Sequence, residues 1–480
     1  MVTARELSFA SVAQLGAWLR QGQTTALELA TCSLERLDTV GRDLNAVVTL
    51  TTERALAEAA QADAEFARGQ DRGPLHGIPY GAKDLLAVTG YPTTWGAAPL
   101  RDQHFLEDAT VVNLMREAGA VLTAKLAMVE LAGGFGYDQP NAALTGPGLN
   151  AWDEERWAGG SSSGSGAAVA AGCVPLAIGT ETWGSIHVPA AFNGITGFRP
   201  TFGLVSRRGA MALSWSMDKI GPMARSAADC ETMLLALAGR DSGDPATRAR
   251  PSYQPDPRRS GFRFATLVGA EEGVEADVLA RYQAALAVFA GLGSIKEITL
   301  PELPYNAAAS TVIAAEAASA FEEFLEAGRA DGLTAPEDRV SLLSGFSLPA
   351  TDYLRALRVR TRAVVELAQA FTGYDAIITP GYRSVATEIS MPFSEEPEFF
   401  GLRTIDGAAN LCGLPGLMLP AGPGAQGLPT AVCLTGRADE DAVLLAAGQA
   451  FQAATEWHVA VPPMSNIVPE RARRDRLRNP

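Results

Sequence analysis

Apolar positions change their period along this chain. Up to about residue 70 they recur at helical spacing. In "TTALELATCSLERLDTV" Leu34 and Leu37 continue one apolar face, with Thr25 and Glu28 at capping-box spacing, and "ALAEAAQADAEFARG" reads as a second, more polar helix. From Gly77 onward short β-prone runs alternate with alanine-rich helical stretches, separated by Gly/Pro turns. The candidate strands are "VLTAK", "VPLAIGT", "FATLVG", "AIITP", "LMLPAG" and "AVCLTG". Strands interleaved with helices predict an α/β fold, a large mixed β-sheet covered by helices on both faces. Residues 241–260 and "SMPFSEEPEFFG" read as exposed loops without the composition break of a domain linker. Length alone allows two or three domains, but this pattern predicts one, spanning 1–480.

The pattern breaks at "WAGGSSSGSGAAVAAG", Trp157 to Gly172. A Gly/Ser run is ordinarily a flexible linker between polar segments. Here it enters "AAVAAGCVPLAIG", a small-residue stretch that should be buried, and Ser before Ala is a plausible helix start. The flanks favour a loop built into the core.

Composition narrows the chemistry. A formal charge of −15 speaks against a polyanion-binding surface. Five scattered cysteines without CxxC spacing fit free thiols in a reducing compartment and offer no metal site. No signal peptide and no span of ~18 apolar residues is visible, so a cytoplasmic protein without membrane contact is expected.

Arginine is used nearly everywhere a cation is wanted, and only four lysines occur. Lys296 reads as a strand-edge charge, and Lys125 ends a short apolar strand. Lys219 follows Ser216 at SxxK spacing, without the SDN and KTG segments of the penicillin-binding enzymes. Lys83 lies in the apolar run "LHGIPYGAKDLLAV". Desolvated there, it could act as a neutral base, which arginine cannot; equally it could snorkel from an edge strand or pair with Asp84.

"GSSSG" formally matches GxSxG with Ser162 central, but the charged, turn-like "AWDEERWAG" precedes it where a nucleophile elbow needs a strand. His458 ends a helical stretch, so a histidine triad is disfavoured. Together, "GGSSSGSGAAVAAGCVPLAIGTETWGSIHVPAAFNGITGFRPTFGLVSRRG", "GIPYGAKDLL", "DKIGPMARSAADC" and "ANLCGLPGLMLP" resemble the amidase signature family. The resemblance implies an N-terminal helical segment 1–70, a signature core 71–240 and a pocket-forming part 241–480. It implies a Ser–cisSer–Lys triad, with Lys83 as base, Ser161 as the bridging serine and Ser185 as the acyl-forming nucleophile. Backbone N–H groups of Thr182, Trp183, Gly184 and Ser185 would form the oxyanion hole. The chain departs from the family's usual pattern at Ser163, Glu181, Trp183 and His187. The Trp183 indole would wall the pocket or fill core; His187 would be a packed replacement for arginine.

The function expected is hydrolysis of C–N bonds in neutral amides, with carbamates, aryl amides or esters as further substrates. No cofactor or metal is expected, the partner is a small-molecule amide or carbamate, and the chain is a monomer or homodimer that binds no nucleic acid. The alternative is the A subunit of a glutamyl-tRNA(Gln)-type amidotransferase. Arg403, standing where glutamine-using subunits carry aspartate, weighs against it. Trp183, Phe399, Phe400 and Arg403 are the expected substrate contacts.

Overall fold

The computed structural model describes residues 2–133, 140–247, 253–392 and 405–463. Eleven strands among them form one sheet: β1 (Val47–Leu50), β2 (Pro79–Lys83), β3 (Val121–Leu126), β4 (Leu176–Glu181), β5 (Thr196–Arg199), β6 (Lys219–Ala224), β7 (Phe262–Leu267), β8 (Gly293–Ile298), β9 (Ala376–Pro380), β10 (Gly416–Pro423) and β11 (Pro429–Thr435). They pair in the order β1-β3-β2-β4-β6-β5-β10-β11-β9-β7-β8. Strands β3, β2 and β4 run parallel, as do β9, β7 and β8, and the stretch from β4 through β6, β5, β10 and β11 to β9 is antiparallel. All six strands expected from the sequence are there.

Two-residue periodicity divides the sheet's side chains between two cores. Leu176 and Ile178 of β4, Leu417 and Leu419 of β10, and Val432 and Leu434 of β11 face one of them. Ala177, Met418, Ala431 and Cys433 face the other. Helices cover both faces, so most central strands are buried along their whole length, as their nearly continuous apolar runs require. The edge strand β8 is partly exposed, and Lys296 projects there into solvent.

The N-terminal stretch departs from an all-helical reading. Helices span Ala4–Phe9, Val12–Arg20, Ala26–Arg36 and Thr52–Ala67, and the Thr25–Glu28 capping box forms. Between them Val47, Val48 and Thr49, β-branched and too few to show a period, make β1 against β3. Residues 241–247 and 253–260 carry neither helix nor strand. No helix among the described residues is long and apolar enough to cross a membrane.

Beside the catalytic candidates lies a buried ion pair. Lys125 Nζ sits 2.7 Å from Asp84 Oδ1, with neither side chain exposed. Thr94 donates its N–H to the other carboxylate oxygen at 3.0 Å, and Lys125 also donates to Thr93 Oγ1 at 2.8 Å. Removing one partner strands the other charge in a low-dielectric interior. Lys125→Met is therefore expected to destabilise the fold by about 3–5 kcal/mol, read as a lowered urea midpoint; a loss below about 1 kcal/mol would contradict a structural role for the pair.

Candidate active site

Lys83 is the last residue of β2, with β3 on one side and β4 on the other, so it does not snorkel from an edge. Successive strand residues point to opposite faces, and Asp84 is engaged by Lys125. Lys83 Nζ donates instead to Ser161 Oγ at 2.8 Å and Thr180 Oγ1 at 2.9 Å. Burial pushes its pKa down to about 7, although the Asp218 and Glu181 carboxylates pull it partly back. A lysine so placed can take up or release a proton near neutrality.

The serine-rich stretch is core, not linker. Ser161, Ser162, Ser163 and Ser165 are all buried, and the Gly160–Ser161 peptide bond is cis. Ser162 Oγ accepts from Thr180 N–H at 3.3 Å and donates to Thr180 O at 3.2 Å, so it braces the loop against β4. Its own N–H donates to Ser185 O at 3.2 Å. The helix Ser163–Ala170 then packs so tightly that a Cβ on Gly164 would collide with Ala127 N and Ala46 O. Small residues here serve close approach.

Ser185 lies on the turn between β4 and the short helix His187–Asn193, where it is 9% exposed. The turn passes through Gly184 at φ +83°, a left-handed conformation that suits glycine. Glu181 closes it, accepting from the N–H groups of Ile186 at 2.9 Å and His187 at 3.0 Å, with Arg199 Nη1 at 2.5 Å. Thr182 Oγ1 donates to Asp218 Oδ1 at 2.6 Å. The turn from Thr182 to Ser185 is thus anchored at both ends.

His187 is buried, with Nδ1 3.4 Å from Arg199 Nη1 and 3.7 Å from Asp406 Oδ1. Burial, the largest single influence, lowers its pKa, but Glu181, Cys433 and the Asp406 hydrogen bond together outweigh it and raise the value to about 10. Its place is in an ionic network behind the turn. His187, Asp406 and Cys433 bring potential ligand atoms within 4.8 Å of one another, yet the Arg199 guanidinium already fills that position with positive charge. The Trp183 indole is half-buried against the main core, where a Cβ on Gly407 would approach it to 3.2 Å.

A cavity of about 290 Å³ lies beside the turn, bounded by Thr180, Thr182, Leu213, Trp215, Asp218 and Lys219. A larger one, about 580 Å³, sits between Trp152 and Trp457; Lys83, Ser161, Trp183 and Ser185 border neither cavity directly, but Thr180 and Thr182 join the smaller one to the site. Phe399, Phe400 and Arg403 lie outside the described residues. The SxxK pair does not form a dyad: Ser216 N–H donates to Glu316 Oε2 at 3.0 Å, and Lys219 Nζ donates to Asn410 Oδ1 at 2.9 Å. His458 belongs to the single turn Trp457–Val459. Sequence reasoning missed Thr180, Asp218 and Arg199. All three stood inside the quoted segments, but their partners come from other elements: Asp218 immediately precedes β6 and Arg199 ends β5.

Residues 28–445 match the family model described as Amidase. Over 474 residues the chain is 37% identical to the A subunit of a glutamyl-tRNA(Gln) amidotransferase from Roseiflexus sp. (strain RS-1), covering 92% of this chain and 96% of that one. The subunit of the same name from Carboxydothermus hydrogenoformans is 34% identical over 95% of this chain and 99% of its own. The crystal structure of native peptide amidase from Stenotrophomonas maltophilia superposes with a TM-score of 0.83 at 30% identity, over 93% of this chain and 97% of that one. The relatives overturn the expected monomer or homodimer with a small-molecule partner and no nucleic acid: they are subunits of a larger enzyme whose name includes a charged tRNA. The −15 charge misled because the net charge of one chain says nothing of what that chain associates with. With the matched segment, the shared fold and full-length relatives in agreement, this chain belongs to the amidase family.

Proposed function

We propose that the chain cleaves amide C–N bonds through an acyl ester on Ser185, and that it does so as the ammonia-releasing subunit of an amidotransferase assembly. The observation that carries the chemistry is the 2.8 Å contact between Lys83 Nζ and Ser161 Oγ, both side chains being buried. Serine is a weak nucleophile until a base takes its proton. Ser185 Oγ attacks the carbonyl carbon while its proton passes to Ser161 and the Ser161 proton passes to Lys83. N–H groups of the turn hold the negative oxygen. As the intermediate collapses, the proton returns by the same route to the leaving nitrogen, which departs as ammonia or amine. Water, deprotonated by the relay, then attacks the ester; the acid leaves and Ser185 recovers its proton.

The assembly reading is supported by two full-length relatives that are named as amidotransferase subunits. A second reading, hydrolysis of neutral amides unaided, is supported by the likeness to the native peptide amidase structure over 93% of this chain.

Ser185→Ala is expected to abolish turnover while the protein stays folded, and a fluorophosphonate should label Ser185 and not Ser162, by peptide mass spectrometry. Retention of most activity would remove Ser185 from the mechanism. Lys83→Arg should be as damaging as Lys83→Ala, because arginine keeps the charge but cannot become a base. With the amine as the active form, kcat/KM should rise with pH through one ionisation near 7 and then level off. A fall across that range would contradict the base assignment. The two functional readings separate in one assay: ammonia release from glutamine should increase when the partner subunits of a related amidotransferase and glutamyl-tRNA are added. Should an aryl amide or carbamate be turned over without partners at more than tenfold the kcat/KM of glutamine, the second reading replaces the first.

A further inference from the structure

Lys219, like the ion-paired Lys125, is a buried lysine that this relay does not use. It opens β6 opposite Glu181 of β4, at the wall of the 290 Å³ cavity, and is 3% exposed. Its Nζ donates to Thr182 O at 3.3 Å and to Asn410 Oδ1 at 2.9 Å. Asn410 is itself oriented, since its Nδ2 donates to Asp406 O at 3.1 Å. The neighbouring Asp218 holds the Thr182 hydroxyl at 2.6 Å, and its other oxygen accepts from Leu213 and Ser214 N–H groups at 2.8 and 2.9 Å. Two consecutive residues therefore grip Thr182 at its hydroxyl and at its carbonyl.

We propose that Lys219 is a positioning residue that fixes the Thr182–Trp183 peptide so that the Trp183 N–H faces the substrate oxygen. This rests on the acyl-enzyme reading. In a planar trans peptide the C=O and the N–H point in opposite directions, so anchoring Thr182 O on Lys219 turns the Trp183 N–H to the far side. Without the anchor the peptide is free to rotate about its flanking bonds, and the adjoining Gly184, at φ +83°, adds little resistance. The rotated peptide would present a carbonyl oxygen, which repels the developing negative charge. Burial also disfavours the ammonium form of Lys219. The Glu181 and Asp218 carboxylates act the other way, and with either protonation state the nitrogen has N–H groups for both acceptors, so the anchor is a matter of donation.

The test compares Lys219→Met, which fills the space without a donor, with Lys219→Gln, which restores one. Removing one oxyanion donor lowers kcat by about 10²–10³. Lys219→Met is expected to lose kcat by about 10²-fold with KM within about twofold, and fluorophosphonate labelling of Ser185 should slow in parallel. Lys219→Gln should stay within about fivefold of wild type in both measurements. Wild-type rates in Lys219→Met, or a folded Lys219→Gln slowed by about 10²-fold, overturn the proposal. If Lys219→Met does not fold, the Lys219→Gln result decides alone. Absence of any Ser185 labelling in wild type is a different failure: it removes the acyl-enzyme reading, and this inference with it.

Discussion

Everything at this site depends on a lysine denied both water and a carboxylate of its own. An ammonium in the interior is stable only when countercharge offsets its lost hydration. Lys83 receives two hydroxyls and the more distant influence of Asp218 and Glu181. The strand pleat makes this possible. Asp84 follows immediately in sequence, yet its carboxylate is satisfied by Lys125, 2.7 Å away. Two lysines thus meet opposite fates within a few residues of sheet: one is locked in a pair, the other is left able to trade a proton.

The turn that carries Ser185 is held by charge as well as by the apolar packing of Ile186 and Trp183. Glu181 carries two backbone N–H groups and a guanidinium, and His187 and Asp406 extend the network behind it. Glutamate and histidine here depart from the family's usual pattern, but they preserve its logic. A buried carboxylate with several donors organises the loop, and an opposite charge organises the carboxylate. The serine loop is braced differently, by hydroxyl contacts to the Thr180 backbone and by glycine-to-backbone approach.

The sequence made the sheet legible because its central strands are short, continuous apolar runs between Gly and Pro, as a doubly covered sheet demands. β1 was not legible, because four residues between two helices carry no period. At the site, Lys83, Ser161 and Ser185 could be named through the resemblance, while residues alone left Lys83 undecided between base and ion pair. That ambiguity is physical: "KD" reads as a pair in one dimension, and only the pleat separates its members. Thr180, Asp218 and Arg199 were hidden for the related reason that their partners come from other strands. The assembly state was beyond reach, since the surface charge of one chain does not say what covers it.

The sheet order also fixes when this chemistry can first exist. Lys83 finds Thr180 only after 97 residues of chain have been closed, through the parallel pairing of β2 with β4. Asn410, which holds Lys219, is 191 residues further from it and beside β10, a strand paired with β5 in the centre of the sheet. Contacts of such separation form late, because the loop entropy is spent before the contact is gained. A chain emerging from the ribosome therefore presents Lys83, Ser161 and Ser185 in that order, but they share one site only once the sheet that joins them is complete.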